Sequence, residues 1–259
     1  MQRIALLIQY LGGQFHGWQR QLNQVSVQQV IEEAIAQVTG NSLVIHGAGR
    51  TDTGVHAAAQ VAHFDYDGVL PPASWVKVLN AHLPPDVRVL AASLVSPNWH
   101  ARFSAIARRY RYTIYTHPLP NLFVRDFSWH FYHETLQVNL MSEALQPLIG
   151  EQDLRAVQKA GSKRSHARIE VKEVRCWQQQ EFVYVEVEAS GFLYGMMRLL
   201  VGTLVEVGRK RLSVTEFTNI WQQQRRDLVR YAAPPQGLCL LAIKYPVDPF
   251  SQVENLVKM

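Results

Sequence analysis

The sequence predicts an α+β fold, and three observations carry that expectation. The chain has 259 residues, 47% of them hydrophobic, enough to bury a core in one large or two small domains. Strand-like and helix-like segments mix without strict alternation, which argues against a doubly wound parallel sheet. Near residue 105 the pattern of elements starts again, so the expected organisation is an N-terminal domain over 1–104, a C-terminal domain over 105–246 and a tail over 247–259.

Residues 3–10 (RIALLIQY) read as a short apolar strand, followed by the glycine-rich loop LGGQFHGWQRQ. Ser26 is placed to open a helix, with Gln29 three residues on to close a capping box. Val27, Val30, Ile31, Ala34, Ile35 and Val38 then recur at i, i+3, i+4 spacing, one apolar face of a helix. Strands are expected over 43–48 and 60–65, on either side of the loop GAGRTDTGVHA. A helix over 72–81 and a strand over 87–94 complete the first half. The second half carries a strand over 109–115, a helix over 138–149, strands over 169–176 and 182–189, helices over 192–207 and 214–223, and a last strand over 238–245.

Composition excludes several classes. A formal charge of +5 permits a polyanionic partner without demanding one. Cys176 and Cys239 make neither a metal-binding nor a redox spacing, and two cysteines build no disulfide framework, so a reducing cytoplasm is expected. The N-terminus has no signal-peptide pattern. The apolar run 189–207 holds Arg198 at its centre and three glycines, so a buried helix is expected rather than a membrane span.

The strongest local signal is the loop from Gly47 to Ala57. It has neither the Lys-Ser/Thr of a phosphate-binding P-loop nor the third glycine of a dinucleotide fingerprint, where Asp52 stands instead. What it offers is Arg50, Thr51 and Asp52 presented between glycines; an Asp closing a local Asx-turn is the alternative. Arg198 is the only charged side chain between Ala189 and Val205, so it needs a carboxylate or phosphate, or must snorkel to the surface. If Asp52 were its partner, the arginine would keep that carboxylate ionised and aimed. Along the strand near 110, Tyr110, Tyr112 and Ile114 share one face while Arg109 and Arg111 share the other. Such interleaving suits stacking on bases and pairing with phosphates, or a half-buried strand with arginines in water. A basic run, Lys159, Lys163, Arg164, His166 and Arg168, is either a solvated loop or a grip on RNA backbone. His56 and His63 lack metal-ligand spacing, and no second carboxylate accompanies Asp52 in these motifs, which disfavours a glycosidase.

Taken together, these blocks resemble the tRNA pseudouridine synthase A family. The loop GAGRTDTGVHA is similar to its signature, and agreement continues in GWQRQ (17–21), SVQ (26–28), Asn80-x-x-Leu-Pro84 and HARFSA (100–105). It extends through RYRY (109–112), GFLYGMMR (191–198), Val201-Gly202 and Gly237-Leu238, in the family's order from about residue 3 to 246. The resemblance implies a two-domain pseudouridine synthase fold, its mainly antiparallel central sheet flanked by helices. It implies Asp52 as catalytic carboxylate, Tyr110 as the tyrosine against the target base and Arg198 as the arginine paired to the Asp. Arg20, Arg50, Arg102, Arg109 and Arg111 are the expected RNA contacts. The implied reaction isomerises uridine at positions 38, 39 and 40 of the tRNA anticodon stem-loop, in a homodimer, without cofactor or metal. Departures from the family pattern are Leu11 for an Asp, Gly195 for a bulkier residue, Leu199 for an Asn, and the shortened Asp153–Val157 segment.

Overall fold

A computed structural model describes residues 1–159, 167–251 and 253 of the chain. These residues form two compact units, one from Met1–Ile106 with the segment from Leu240 onward, the other from Ala107–Cys239. The α+β class is as expected: among the described residues there are ten strands and five α-helices, and the strand pairs described below are antiparallel except one short parallel pair.

In the first unit, β1 (Gln2–Tyr10) is the middle strand, flanked by β4 (Val87–Val95) and β3 (His56–Tyr66), with β2 (His46–Gly47) on the outer side of β3. The even residues Ile4, Leu6, Ile8 and Tyr10 are buried. Phe64 lies opposite Ile4 in the ladder and meets Trp75 edge-on at 4.9 Å, docking helix α2 (Ser74–Asn80) on that face. Helix α1 (Val27–Thr39) buries Val27, Ile31, Ala34 and Ile35, the stripe expected from its periodicity. Its cap is half of the anticipated box. The Ser26 hydroxyl accepts the Gln29 N–H at 3.3 Å, but the Gln29 side chain turns outward to Glu33 at 2.8 Å.

The opposite face of this sheet buries Ala5, Val61 and Ala91 together with Ala48, Ala101 and Phe250. Ile243, Tyr245 and Val253 pack beside them. Here the expected division at 246 is corrected. The residues from Leu240 group with the N-terminal unit because their apolar side chains cover its exposed sheet face, and Phe250 of the supposed tail is only 4% exposed.

The second unit orders its strands β5 (Ala107–Tyr115), β9 (Phe182–Ala189), β8 (Arg168–Gln179) and β7 (Gly150–Asp153), with β6 (Trp129–His130) parallel to the end of β5. On one face Tyr110, Tyr112 and Ile114 pair across to Val187, Val185 and Val183, all buried. Helix α3 (Val138–Leu145) packs on β8, α4 (Met196–Gly208) packs on α3, and α5 (Val214–Gln222) packs on both helices. Several lengths differ from expectation: the strand expected over 43–48 is only His46–Gly47, and two helices of this unit are shorter. The 138–149 helix yields to a 3-10 turn at Gln146–Leu148, where Pro147 supplies no N–H. The 192–207 helix starts only at Met196, since Gly195 caps it in the left-handed region at φ +67°.

Candidate active site

The Asp52 loop is held from below by side chains and from beside by backbone. It leaves β2 through Ala48, whose N–H donates to the Val61 carbonyl at 2.8 Å. Gln60, fully buried, donates its amide to the Gly49 carbonyl at 2.9 Å. Thr51 is buried, its hydroxyl 2.8 Å from the Tyr10 phenol oxygen in the core. The Trp18 N–H donates to the Thr51 carbonyl at 3.2 Å. Beyond Asp52 the chain turns back by a bond from the Val55 N–H to the Asp52 carbonyl at 3.1 Å. The His56 Nδ1 then accepts the Gly12 N–H at 3.0 Å, a turn-building role for that histidine.

Gly17 makes this arrangement possible. Its φ is +83°, and a Cβ there would lie 2.5 Å from the Thr51 carbonyl oxygen. No side chain fits, so the 12–18 segment can lie directly on the backbone of the loop. Asp52 itself is half-buried, between buried Thr51 and exposed Thr53. The loop is therefore a rigid mount for a carboxylate at the edge of solvent. Sequence reading missed Tyr10, Gln60 and Gly17 as its supports; a glutamine inside the alternating apolar strand 56–66 was the available signal for one of them.

In the second unit, Tyr110 is 7% exposed and packs edge-on against Phe192 with centroids 4.7 Å apart. Arg198 sits in the first turn of α4, half-buried, and its Nε donates to the Ala233 carbonyl at 2.7 Å while the Ala233 N–H donates to the Arg198 carbonyl at 2.9 Å. Its guanidinium lies close enough to Tyr112 to act on that phenol, whose pKa burial nonetheless raises well above the ordinary tyrosine value. Tyr112 donates to the Pro234 carbonyl at 2.7 Å, so the segment around 233–234 is tied to both α4 and β5.

The five arginines expected to contact RNA divide sharply. Arg50 is exposed and has no ion-pair partner among the described residues. Arg102 is exposed, its guanidinium carbon 5.5 Å from the Phe103 ring centroid. Arg20 pairs with Glu32 at 2.9 Å but remains 55% exposed. Arg109 and Arg111 are committed elsewhere. They lie on the face of the second sheet opposite Tyr110 and Tyr112, directly across from Glu188 and Glu186. Arg109 reaches Glu188 at 2.9 Å and Glu173 at 2.8 Å. Arg111 reaches Glu186 at 2.7 Å and covers the Trp177 and Tyr184 rings. Of the basic run, Lys163, Arg164 and His166 lie outside the described residues; Lys159 rests on the Tyr194 ring at 5.2 Å, and Arg168 is exposed opposite Asp153.

Among the described residues no group of three or more His, Cys, Asp or Glu side chains could hold a metal ion, and no helix is long and apolar enough to cross a membrane. The family model described as tRNA pseudouridine synthase matches residues 6–104 and 144–246, segments that contain Asp52 and Arg198 and leave Tyr110 between them. The tRNA pseudouridine synthase A of Nostoc sp. is 55% identical over 250 residues, spanning 96% of this chain and 89% of that protein. That of Thermosynechococcus vestitus is 56% identical over 249 residues, spanning 96% and 88%. That of Synechococcus sp. is 57% identical over 250 residues, spanning 96% and 85%. With both its sequence blocks and nearly its whole length matched in this way, the chain belongs to the tRNA pseudouridine synthase family.

Proposed function

We propose that the chain isomerises uridine to pseudouridine at positions 38, 39 and 40 of the tRNA anticodon stem-loop, with Asp52 as the catalytic carboxylate. The observation that carries the reading is the mount of Asp52: a half-buried acid on a loop pinned by Tyr10, Gln60 and Trp18. Isomerisation breaks the N1 glycosidic bond, turns the uracil and joins C5 to the same ribose carbon, so no electrons or groups are gained or lost. A carboxylate serves this by attacking ribose or base, or by taking the ribose C2′ proton, and each route needs it ionised and fixed. Arg198 is assigned the role of pairing with that carboxylate and aiming it. Tyr110, braced by Phe192, is assigned the face of the target base, which must leave its stack to react. Arg20, Arg50 and Arg102 are assigned to RNA phosphates. Arg109 and Arg111, expected beside them, have their charge matched within the sheet by Glu188, Glu173 and Glu186. The enzyme is proposed to act in the cytoplasm as a homodimer, without cofactor or metal.

The test incubates purified protein with unmodified tRNA transcripts and maps pseudouridine by carbodiimide adducts and reverse transcription, with Asp52→Ala in parallel. Pseudouridine at the anticodon-arm uridines from the parent alone is the expected result. Tight tRNA binding without isomerisation by the parent would instead make this an RNA-binding protein on an enzyme's scaffold.

A further inference from the structure

The loop 96–104 of the first unit is tied down along its length. The Trp99 N–H donates to the Ser96 carbonyl at 2.9 Å and the Ser104 N–H to the His100 carbonyl at 2.9 Å. The His100 N–H donates to the Ser104 hydroxyl at 3.0 Å, and the Arg102 N–H to His100 Nδ1 at 3.1 Å. The Ala101 N–H donates to His63 Nδ1 at 3.3 Å, the Tyr245 hydroxyl to the Ala101 carbonyl at 2.7 Å, and the Arg3 guanidinium to the Trp99 carbonyl at 2.8 Å. At the tip of this rigid loop stands Phe103, 75% exposed. A phenylalanine held this far in water forgoes most of the stabilisation of burial.

Behind it the rings are continuous. His100 lies 4.4 Å from Phe103, His63 4.5 Å from His100, Trp99 5.8 Å from His63, and Tyr245 5.1 Å from Trp99. Burial lowers the pKa of both His63 and His100, so the imidazoles back the phenyl ring as neutral aromatics near pH 7. The charge at the tip is the Arg102 guanidinium, placed beside the phenyl ring. The acid nearest the histidines, Asp65, is already engaged by Arg3 through two bonds of 2.8 Å. His46, exposed and opposite His63 in the β2–β3 pair, puts this assembly at the rung from which the Asp52 loop departs.

We propose that Phe103 is a stacking platform for an unpaired nucleobase of the tRNA, with Arg102 on the adjoining phosphate, holding the RNA beside the loop that carries Asp52. The proposal rests on the reading of the chain as a tRNA-modifying enzyme. An exposed aromatic ring with a cation beside it, on a support that does not yield, is the arrangement by which proteins hold single-stranded bases. The positive local charge favours a polyanion over a second protein surface.

The experiment compares Phe103→Ala, Phe103→Leu and Phe103→Trp with the parent for tRNA affinity, steady-state pseudouridine formation, thermal midpoint and sedimentation. Phe103→Ala and Phe103→Leu should weaken tRNA binding by about 5-fold to about 100-fold, the range of one stacked base, with kcat at saturating tRNA within about twofold. Phe103→Trp should restore affinity, and its added indole fluorescence should be quenched by tRNA. Affinity of Phe103→Ala within twofold of the parent overturns the proposal, as does Phe103→Leu matching the parent, which would mark mere apolar contact. A fall in oligomer size with unchanged tRNA affinity would assign the ring to contact between copies of the chain and equally overturn it. If the parent itself makes no pseudouridine, the functional reading fails; if the parent is active and the variants are unaffected, the platform alone fails. Because the ring is exposed, thermal midpoints should stay within about 2 °C.

Discussion

The phenol oxygen of Tyr10 and the hydroxyl of Thr51 lie 2.8 Å apart in the core, which fastens the residue before Asp52 to the central strand of its unit. Both side chains are buried, so the bond is sheltered from competing water. Removing it with Tyr10→Phe leaves the ring packing in place and strands the Thr51 hydroxyl. We expect a loss of about 1–2 kcal/mol in unfolding free energy. We also expect kcat to fall about tenfold through misplacement of the carboxylate, with tRNA Kd within about twofold. Thr51→Val should do the same, and the double variant should be no worse than either single one. Urea melts and single-turnover rates on the four proteins check this; an unchanged kcat would reduce the bond to a stabilising role.

Arg109 and Arg50 are both basic residues in motifs that resemble the family's, and the structure surrounds them differently, Arg109 with carboxylates and Arg50 with solvent. Arg109 pairs with Glu188, whose side chain is 6% exposed, so Arg109→Ala takes an ion-pair partner from a buried carboxylate. We expect that variant to lose about 3 kcal/mol of stability while the salt dependence of tRNA binding keeps its slope. Arg50→Ala should leave the thermal midpoint unmoved and lower that slope by about 1, the signature of one phosphate contact. Thermal melts and tRNA titrations at several salt concentrations decide both; a reduced slope in Arg109→Ala with intact stability would return that residue to the RNA interface.

The surroundings of the Arg109 and Arg111 pair show what a sequence does and does not carry. The alternation Arg109-Tyr110-Arg111-Tyr112 puts the tyrosines on one face and the arginines on the other, and that much is observed. What faces the arginines depends on β5 pairing with β9 in one register, Arg109 to Glu188 and Arg111 to Glu186, across some 75 residues of chain. Period-two patterning is local and contains no such partner. The same limit hid the place of Phe250, whose neighbours are Ala5, Val61 and Ala91 in distant strands. Where the determinants were local the reading succeeded: the apolar stripe of α1, the Ser26 cap, and the glycine-flanked Asp52 loop. The supports of that loop, Tyr10 and Gln60, come from strands whose buried faces are set only once the sheet is assembled.

Burying His63 makes stability depend on pH in a direction that can be worked out. Its pKa is pushed down to about 4, by burial first and then by His100, Arg3 and His46, with Asp65 opposing. In the unfolded chain the imidazole titrates near 6.5, so below that pH the unfolded state binds the extra proton. The stabilisation from a neutral His63 is therefore complete above about pH 7 and is lost as pH falls from 6.5 towards 4. Partial screening puts the loss at about 2 kcal/mol by pH 4.5. The Arg3–Asp65 pair does not cancel it in this window, because the arginine holds that carboxyl below its ordinary range. His63→Asn keeps a side-chain acceptor for the Ala101 N–H and removes the titration, so the variant should begin less stable at pH 7.5 and converge on the parent as the pH drops. Urea midpoints of both proteins at half-unit steps from pH 7.5 to 4.5 measure the convergence. Parallel curves would mean that the imidazole is already protonated or solvated in the folded state, and the neutral ring stack behind Phe103 would lose its support.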